Sequence, residues 1–190
     1  MYNSYVSGDL VYLRHPTLQD VEGSWHEWLS DEEITRWLGE RYWPNSIEKQ
    51  KMFYESCLNS VDRLVLSIID AATDKHIGVC NLSNINWVSR HCDIAVIIGD
   101  RDFRHGPHMI EAMSLLLRTG FVRLNMRNIK SSFAASNESS QAIHDVFRFR
   151  EVGRLPSLIW DRGRYVDCVI SMLSAADWFK RNMDFRDVFY

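Results

Sequence analysis

The stretch that decides the fold is Cys92-Asp-Ile-Ala-Val-Ile-Ile98, which ends at Gly99-Asp100 and leads to an amphipathic segment over residues 108–121. A short apolar run that ends at turn residues is typical of a buried strand. In the second segment, apolar residues such as Met113 and Leu117 recur at helical spacing, so that one face is apolar. This part of the chain therefore predicts a central strand, a turn and a helix.

The segments on either side predict further helices and strands. Helix starts are indicated by three cap signals, Thr17 with Asp20, Ser30 with Glu33, and Asn45 with Glu48. Strands are predicted over residues 10–14, 64–69, 77–82, 129–135, 149–155, 157–161 and 164–172, and a further helix over residues 139–147. This order indicates the α/β (α+β) class, with one domain over residues 1–190 and a mixed, mostly antiparallel central sheet flanked by helices. The core covers about residues 10–173.

Composition excludes several classes of protein. The chain has 190 residues, 46% of them hydrophobic, and a formal net charge of −3, so a disordered chain or a nucleic-acid-binding protein is not expected. We find no apolar run that could span a membrane and no secretory signal at the N-terminus. The four cysteines (Cys57, Cys80, Cys92 and Cys168) form no C-x-x-C pair. We therefore expect reduced thiols, a cytoplasmic location and no bound metal.

Six short motifs carry a resemblance to a known family. They are Trp28-Leu-Ser-Asp-Glu-Glu-Ile-Thr-Arg-Trp-Leu38, Ile77-Gly78, Ile98-Gly-Asp-Arg-Asp102, Ile110-Glu-Ala-Met113, Asn137-Glu-Ser-Ser140 and Gly163-Arg-Tyr-Val-Asp167. In this order, they resemble the GNAT acetyltransferases, in particular the branch that holds ribosomal-protein N-terminal and spermidine acetyltransferases. The resemblance covers about residues 10–173. It implies direct transfer of an acetyl group from acetyl-CoA to a primary amine.

The resemblance also implies where acetyl-CoA binds. The backbone of Val96, Ile97 and Ile98 pairs with its pantetheine arm, and Asn137 and Ser140 contact the arm from the following strand–helix junction. The diphosphate lies on the loop Arg104-His105-Gly106-Pro107-His108-Met109, where a helix N-terminus favours anions. This loop departs from the family pattern, because Pro107 has no N–H and Met109 replaces a small residue.

Proton transfer is the second requirement of this chemistry. An alkylamine is mostly protonated at pH 7, so a base must remove a proton, and the departing thiolate needs an acid. The resemblance places Asp93 where relatives carry a glutamate base, with His91 on the same strand face as an alternative. His144 stands at the position of the family's tyrosine acid, and a histidine can serve there.

The acceptor side is less determined. The resemblance places the acceptor-binding residues in the first helices and the last hairpin, with Trp28, Glu33, Trp37 and Tyr42 as candidates. Carboxylates and aromatic rings suit a cationic amine. A polyamine, an amino sugar and a peptide N-terminus stay open as acceptors, and a non-catalytic GNAT-like binding protein is the alternative function. The apolar tail over residues 175–190 indicates a possible homodimer.

Overall fold

One eight-stranded sheet forms the centre of the protein in a computed structural model that describes residues 3–104 and 106–182. The strands are β1 Ser4–Ser7, β2 Val11–Arg14, β3 Leu64–Asp70, β4 His76–Asn86, β5 His91–Ile98, β6 Asn128–Ala134, β7 Arg150–Asp161 and β8 Arg164–Ser174. Their order across the sheet is β1-β2-β3-β4-β5-β6-β8-β7, and the pair β5–β6 is parallel whereas the other neighbours are antiparallel. The predicted mixed, mostly antiparallel sheet is therefore confirmed.

Helices cover both faces of the sheet. They are α1 Leu18–Asp20, α2 His26–Trp28, α3 Glu32–Thr35, α4 Ile47–Leu58, α5 Pro107–Arg118, α6 Glu138–Val146 and α7 Ala175–Phe179. Shorter helical turns lie at Val21–Trp25, Gly39–Tyr42, Arg101–Phe103 and Thr119–Arg123. None of the helices in the described ranges is long and apolar enough to cross a membrane.

Two apolar clusters hold these layers together. The larger one joins the sheet to α5, through residues such as Leu82, Ile94 and Leu116. The smaller one lies on the other face, where Trp25 and Trp28 pack against Val79. The four cysteines are buried and free, as predicted.

Several predicted boundaries need correction. The capping box of Thr17 and Asp20 is confirmed, but α3 is capped by Asp31, whose carboxylate accepts from two amides, and not by Ser30. Likewise, Ser46 rather than Asn45 caps α4. The two strands predicted over residues 149–161 are one strand, β7, which carries an irregularity between Leu155 and Ile159. Strand β1 was not predicted.

Candidate active site

Strands β5 and β6 separate in the middle of the sheet. They pair only over residues 91–93 of β5 and 128–130 of β6. Beyond this seam, residues 94–98 pair with β4 alone, and residues 131–134 of β6 pair with β8 alone. The facing backbone edges of the two strands therefore have no strand partner along this length.

Hydrogen-bond alternation shows which residues of β5 face the gap. The Gly99 amide donates to the Ile77 carbonyl over 2.9 Å, so Gly99 belongs to a hydrogen-bonded pair with β4. Because such pairs alternate along an antiparallel ladder, the peptide groups of Ile97 also point to β4, while those of Val96 and Ile98 point into the gap. Of the three residues predicted to pair with the pantetheine arm, Val96 and Ile98 can do so. Ile97 cannot, because its peptide groups point to β4.

The gap opens into a cavity of about 320 Å³. Ten residues predicted for the site line it: Glu33, Trp37, Val96, Ile97, Ile98, Arg104, Met109, Asn137, Ser140 and His144. Its wall also includes residues that the sequence analysis missed: Ile34, Leu38, Ile94, Ala95, Met113, Ser131, Ser132, Phe133, Ser139 and Ile143. Two adjacent serines in a central strand are a signal that could have found the β6 side of this wall.

The N-terminus of α5 lies at one end of the cavity. Gly106 stands at its cap position without a side-chain cap, and Pro107 is the first helical residue. The first-turn amides of a helix have no partner within the helix, and Pro107 has no amide to offer, so the His108 and Met109 amides are available there. Arg104 adds a positive charge, and it donates to the Glu33 carboxylate over 3.3 Å and to the Gly99 carbonyl over 3.2 Å.

His108 and His105 contribute differently from what the loop pattern suggests. The Nε2 atom of His108 lies 3.2 Å from the Asp70 carboxylate, and the ring packs edge-on against Phe103. His108 and Gly106 are therefore near the cavity but not in its wall. His105 lies outside the described residues.

His144 is held in the wall by a helical turn and two aromatic rings. Asn137 caps α6 by accepting from the Ser140 amide, and the Ser140 carbonyl accepts from Nδ1 of His144 over 2.6 Å. The imidazole is 6% exposed and packs between the rings of Phe133 and Phe149. Burial lowers the pKa of His144, and the Ser140 carbonyl and the charge of Asp145 oppose this effect only in part. The ring is therefore neutral at pH 7.

Asp93 and His91 lie at the seam and not in the cavity wall. The Asp93 carboxylate accepts from the Lys130 ammonium and from the Asn84 amide, each over 2.6 Å. His91 is half-buried, and its Nδ1 atom has no hydrogen-bond partner among the described residues. The predicted role of either residue as a base stays a prediction.

The acceptor candidates divide between the core and the surface. The Trp28 indole lies in the smaller apolar cluster, where it packs against His76 at a ring distance of 4.9 Å. Tyr42 is exposed and donates to the Trp160 carbonyl over 3.1 Å. Neither of them lines the cavity, whereas Glu33 and Trp37 do.

Contacts on the acceptor side connect the first helices to the last hairpin. Arg41 donates to the Trp160 carbonyl over 2.6 Å, and a guanidinium nitrogen of Arg36 lies 3.6 Å from the Asp161 carboxylate. The segment after α3 is thus tied to the tip of the β7–β8 hairpin. In residues 3–104 and 106–182, no group of three or more histidine, cysteine, aspartate or glutamate side chains is placed to hold a metal ion.

Comparisons with known proteins agree with this geometry. A family model described as an acetyltransferase (GNAT) domain matches residues 11–150. An uncharacterised N-acetyltransferase p20 from Bacillus licheniformis is 25% identical over 159 residues, which are 82% of this chain and 87% of that protein.

Solved structures with the same fold include a spermidine N-acetyltransferase from Vibrio cholerae in complex with CoA and spermine. It has a TM-score of 0.83 and 19% identity and covers 90% of this chain and 99% of its own. A GNAT-family acetyltransferase from Bacillus anthracis has a TM-score of 0.77 and 15% identity, covering 90% and 98% of the two chains. The split sheet and the family match over most of its length show that the chain belongs to the GNAT family of acetyltransferases.

Proposed function

We propose that the protein transfers the acetyl group of acetyl-CoA directly to a small primary amine. The separation of β5 and β6 beside the N-terminus of α5 is the observation that carries this proposal. The pantetheine arm of acetyl-CoA contains amide groups, and these can pair with the free backbone edge of β5 at Val96 and Ile98. Arg104 and the first-turn amides of α5 suit the diphosphate, because a helix N-terminus and a guanidinium both favour anions.

The cysteines support direct transfer. Cys92 lies at the seam, and burial raises the pKa of its thiol to about 12. Burial also raises the pKa of the Cys80 thiol. A thiol that stays protonated at neutral pH is a poor nucleophile, so a covalent acetyl-enzyme on either residue is not expected. Free, buried thiols also support the cytoplasmic location predicted from the sequence.

The connection between the segment after α3 and the β7–β8 hairpin favours a small acceptor, such as a polyamine or an amino sugar, over a peptide N-terminus. A long peptide needs an open groove, whereas here Arg36 and Arg41 connect the segment after α3 to the β7–β8 hairpin. Glu33 and Trp37 form the acceptor side of the wall. A similar fold binds spermine in the Vibrio cholerae structure. The homodimer stays a prediction, because residues 183–190 of the apolar tail lie outside the described residues.

Ligand binding followed by an amine panel tests the proposal. Acetyl-CoA and CoA at 100 times Kd are expected to stabilise the protein by about 2.7 kcal/mol, which raises the Tm by several degrees. Polyamines, amino sugars and short peptides are then assayed for release of free thiol from acetyl-CoA. The absence of a Tm shift at millimolar ligand would support the non-catalytic alternative, and turnover with peptides alone would contradict a small acceptor.

A pair of arginine variants tests whether Arg104 binds the diphosphate of CoA. Arg104→Gln is expected to weaken CoA binding about 10- to 100-fold, because one charge-assisted hydrogen bond contributes about 1.5–3 kcal/mol. Arg101→Gln is the matched control, since Arg101 pairs with Asp31 at the surface and does not line the cavity. If calorimetry gives the two variants equal affinity for CoA, Arg104 does not bind the diphosphate.

A further inference from the structure

One ring nitrogen of His144 makes a hydrogen bond, and the other has no hydrogen-bond partner among the described residues. A carbonyl oxygen can only accept a hydrogen bond, so the 2.6 Å contact to the Ser140 carbonyl requires a proton on Nδ1. The second nitrogen, Nε2, then carries the lone pair of the neutral ring. Nε2 is buried and has no hydrogen-bond partner among the described residues. Such an atom is costly unless something else in the cavity supplies a donor.

The surroundings of the ring keep it neutral until a proton arrives. The ring centroids of Phe133 from β6 and Phe149 from the turn before β7 lie 4.6 and 4.9 Å from that of the imidazole, and both rings are uncharged. Asp145 on α6 itself is the charged side chain that acts on the ring. A residue in this state cannot donate a proton to sulfur at the start of the reaction, because it does not yet hold one.

The cavity offers no second free base for the acceptor nitrogen. Among the described residues that line it, Glu33 is the one carboxylate, and Glu33 is bound by Arg104. Asp93 lies outside the wall in an ion pair with Lys130. A proton released from the acceptor nitrogen within the cavity therefore has Nε2 of His144 as its acceptor.

We infer that His144 serves both proton transfers as a single relay, an inference that rests on the proposed function. The neutral amine attacks the thioester carbonyl carbon while the π electron pair of the C=O bond moves onto oxygen, and the new C–N bond makes the nitrogen positively charged and acidic. Nε2 of His144 takes a proton from this nitrogen. The C=O bond then re-forms as the C–S bond breaks with its electron pair on sulfur, and His144 returns the proton to sulfur. The products are an amide and a thiol, and the histidine is again neutral.

Histidine NMR tests whether the CoA sulfur lies next to Nε2 of His144, and it needs no amine substrate. In protein labelled with ¹⁵N-histidine, His144 is expected to be neutral and protonated at Nδ1 from pH 7 to pH 9. Binding of CoA is expected to shift the Nε2 resonance, because the thiol donates to it. Binding of desulfo-CoA, which carries hydrogen in place of the thiol, is expected to leave that resonance near its position in the free protein.

Calorimetry with CoA and desulfo-CoA distinguishes a failure of the proposed function from a failure of the relay alone. If neither ligand binds, the proposed function fails together with the inference. If both bind and the Nε2 resonance responds equally or to neither, only the relay is overturned. A His144 ring that is protonated at pH 7 in the free protein also overturns it.

Kinetics with an amine accepted in the panel give a second test. His144→Gln is expected to lower kcat about 100-fold or more, with CoA affinity changed less than about threefold. His26→Gln is the matched control, since Nδ1 of His26 also contacts a backbone carbonyl, that of Val21 in the preceding helical turn, but His26 lies outside the cavity. The profile of kcat/KM against pH is expected to move with the pKa of the amine. If the pH profile of kcat/KM does not move when a less basic amine is used, the amine does not react from its neutral form, and the relay is contradicted.

Discussion

At the scale of single residues, Gly99 shows how closely the acceptor side packs on the sheet. A Cβ atom at this position would lie 2.0 Å from Cδ2 of the Trp28 indole. Gly99→Ala is therefore expected to lower the free energy of unfolding by about 1–3 kcal/mol, because a buried ring must move. Urea unfolding measures this loss.

The control for Gly99 is another glycine. A Cβ atom at Gly39 would have no heavy atom within 4 Å, so Gly39→Ala is expected to change stability by about 0.5 kcal/mol or less. Equal effects of the two substitutions would show that the Trp28 contact is not the cause.

Individual site residues differ in how far the sequence predicts them. His144 could be found by counting from Asn137, because the cap and the helix fix its position relative to the strand before it. Trp28 could not be assigned, since an aromatic residue at helical spacing suits a core and a binding site equally well. Its place in the core depends on Gly99, 71 positions later, and no local pattern links the two.

At the scale of elements, one carboxylate on α5 fixes the turn between β1 and β2. Glu111 accepts from the amides of Asp9, Leu10 and Val11 over 2.7–2.9 Å. Glu111→Gln is expected to lower the free energy of unfolding by about 1–3 kcal/mol, because the charge and one acceptor are lost. Hydrogen exchange at residues 9–11 is expected to quicken.

A second glutamate provides the comparison. Glu55 is exposed on α4, so Glu55→Gln is expected to leave both stability and exchange in the turn unchanged. If Glu111→Gln behaves in the same way, the three amides are satisfied without the carboxylate.

Strands and helices were predictable where local chemistry decides them. Thr17 with Asp20 began a helix as expected, and the apolar runs over residues 64–69 and 77–82 lie in β3 and β4 as predicted. The separation of β5 from β6 has no local signal, because residues 94–98 read like any buried strand. The single long strand β7 was also missed, because a proline such as Pro156 is typical of the end of a strand. In the structure the strand continues past Pro156, with a positive φ at Ser157.

At the scale of the whole molecule, buried titratable groups make stability depend on pH. Burial lowers the pKa of His76, and it does the same for His144. Burial alone would raise the pKa of Asp20, but the hydrogen bond from Arg14 and the charge of His76 outweigh it, and the pKa falls. For all three groups the unfolded chain binds protons more readily than the folded protein does.

The free energy of unfolding is therefore expected to be highest above about pH 6.5, the ordinary pKa of histidine. It falls as the pH drops below that value, and it falls again below about pH 4, where aspartate becomes protonated in the unfolded chain. Urea unfolding from pH 8 to pH 3 measures both steps. A stability that is constant between pH 8 and pH 5 would contradict the neutral state of the buried histidines.

The seam of three residue pairs between β5 and β6 gives the sheet an unusual weakness at its centre. In the proposed function, the arm of acetyl-CoA, the acetyl donor, lies in this gap and connects the two halves of the sheet as an additional strand would. Amides of Val96 and Ile98 are then shielded from exchange only while the donor is present. Limited proteolysis of the protein is therefore expected to slow when acetyl-CoA is added.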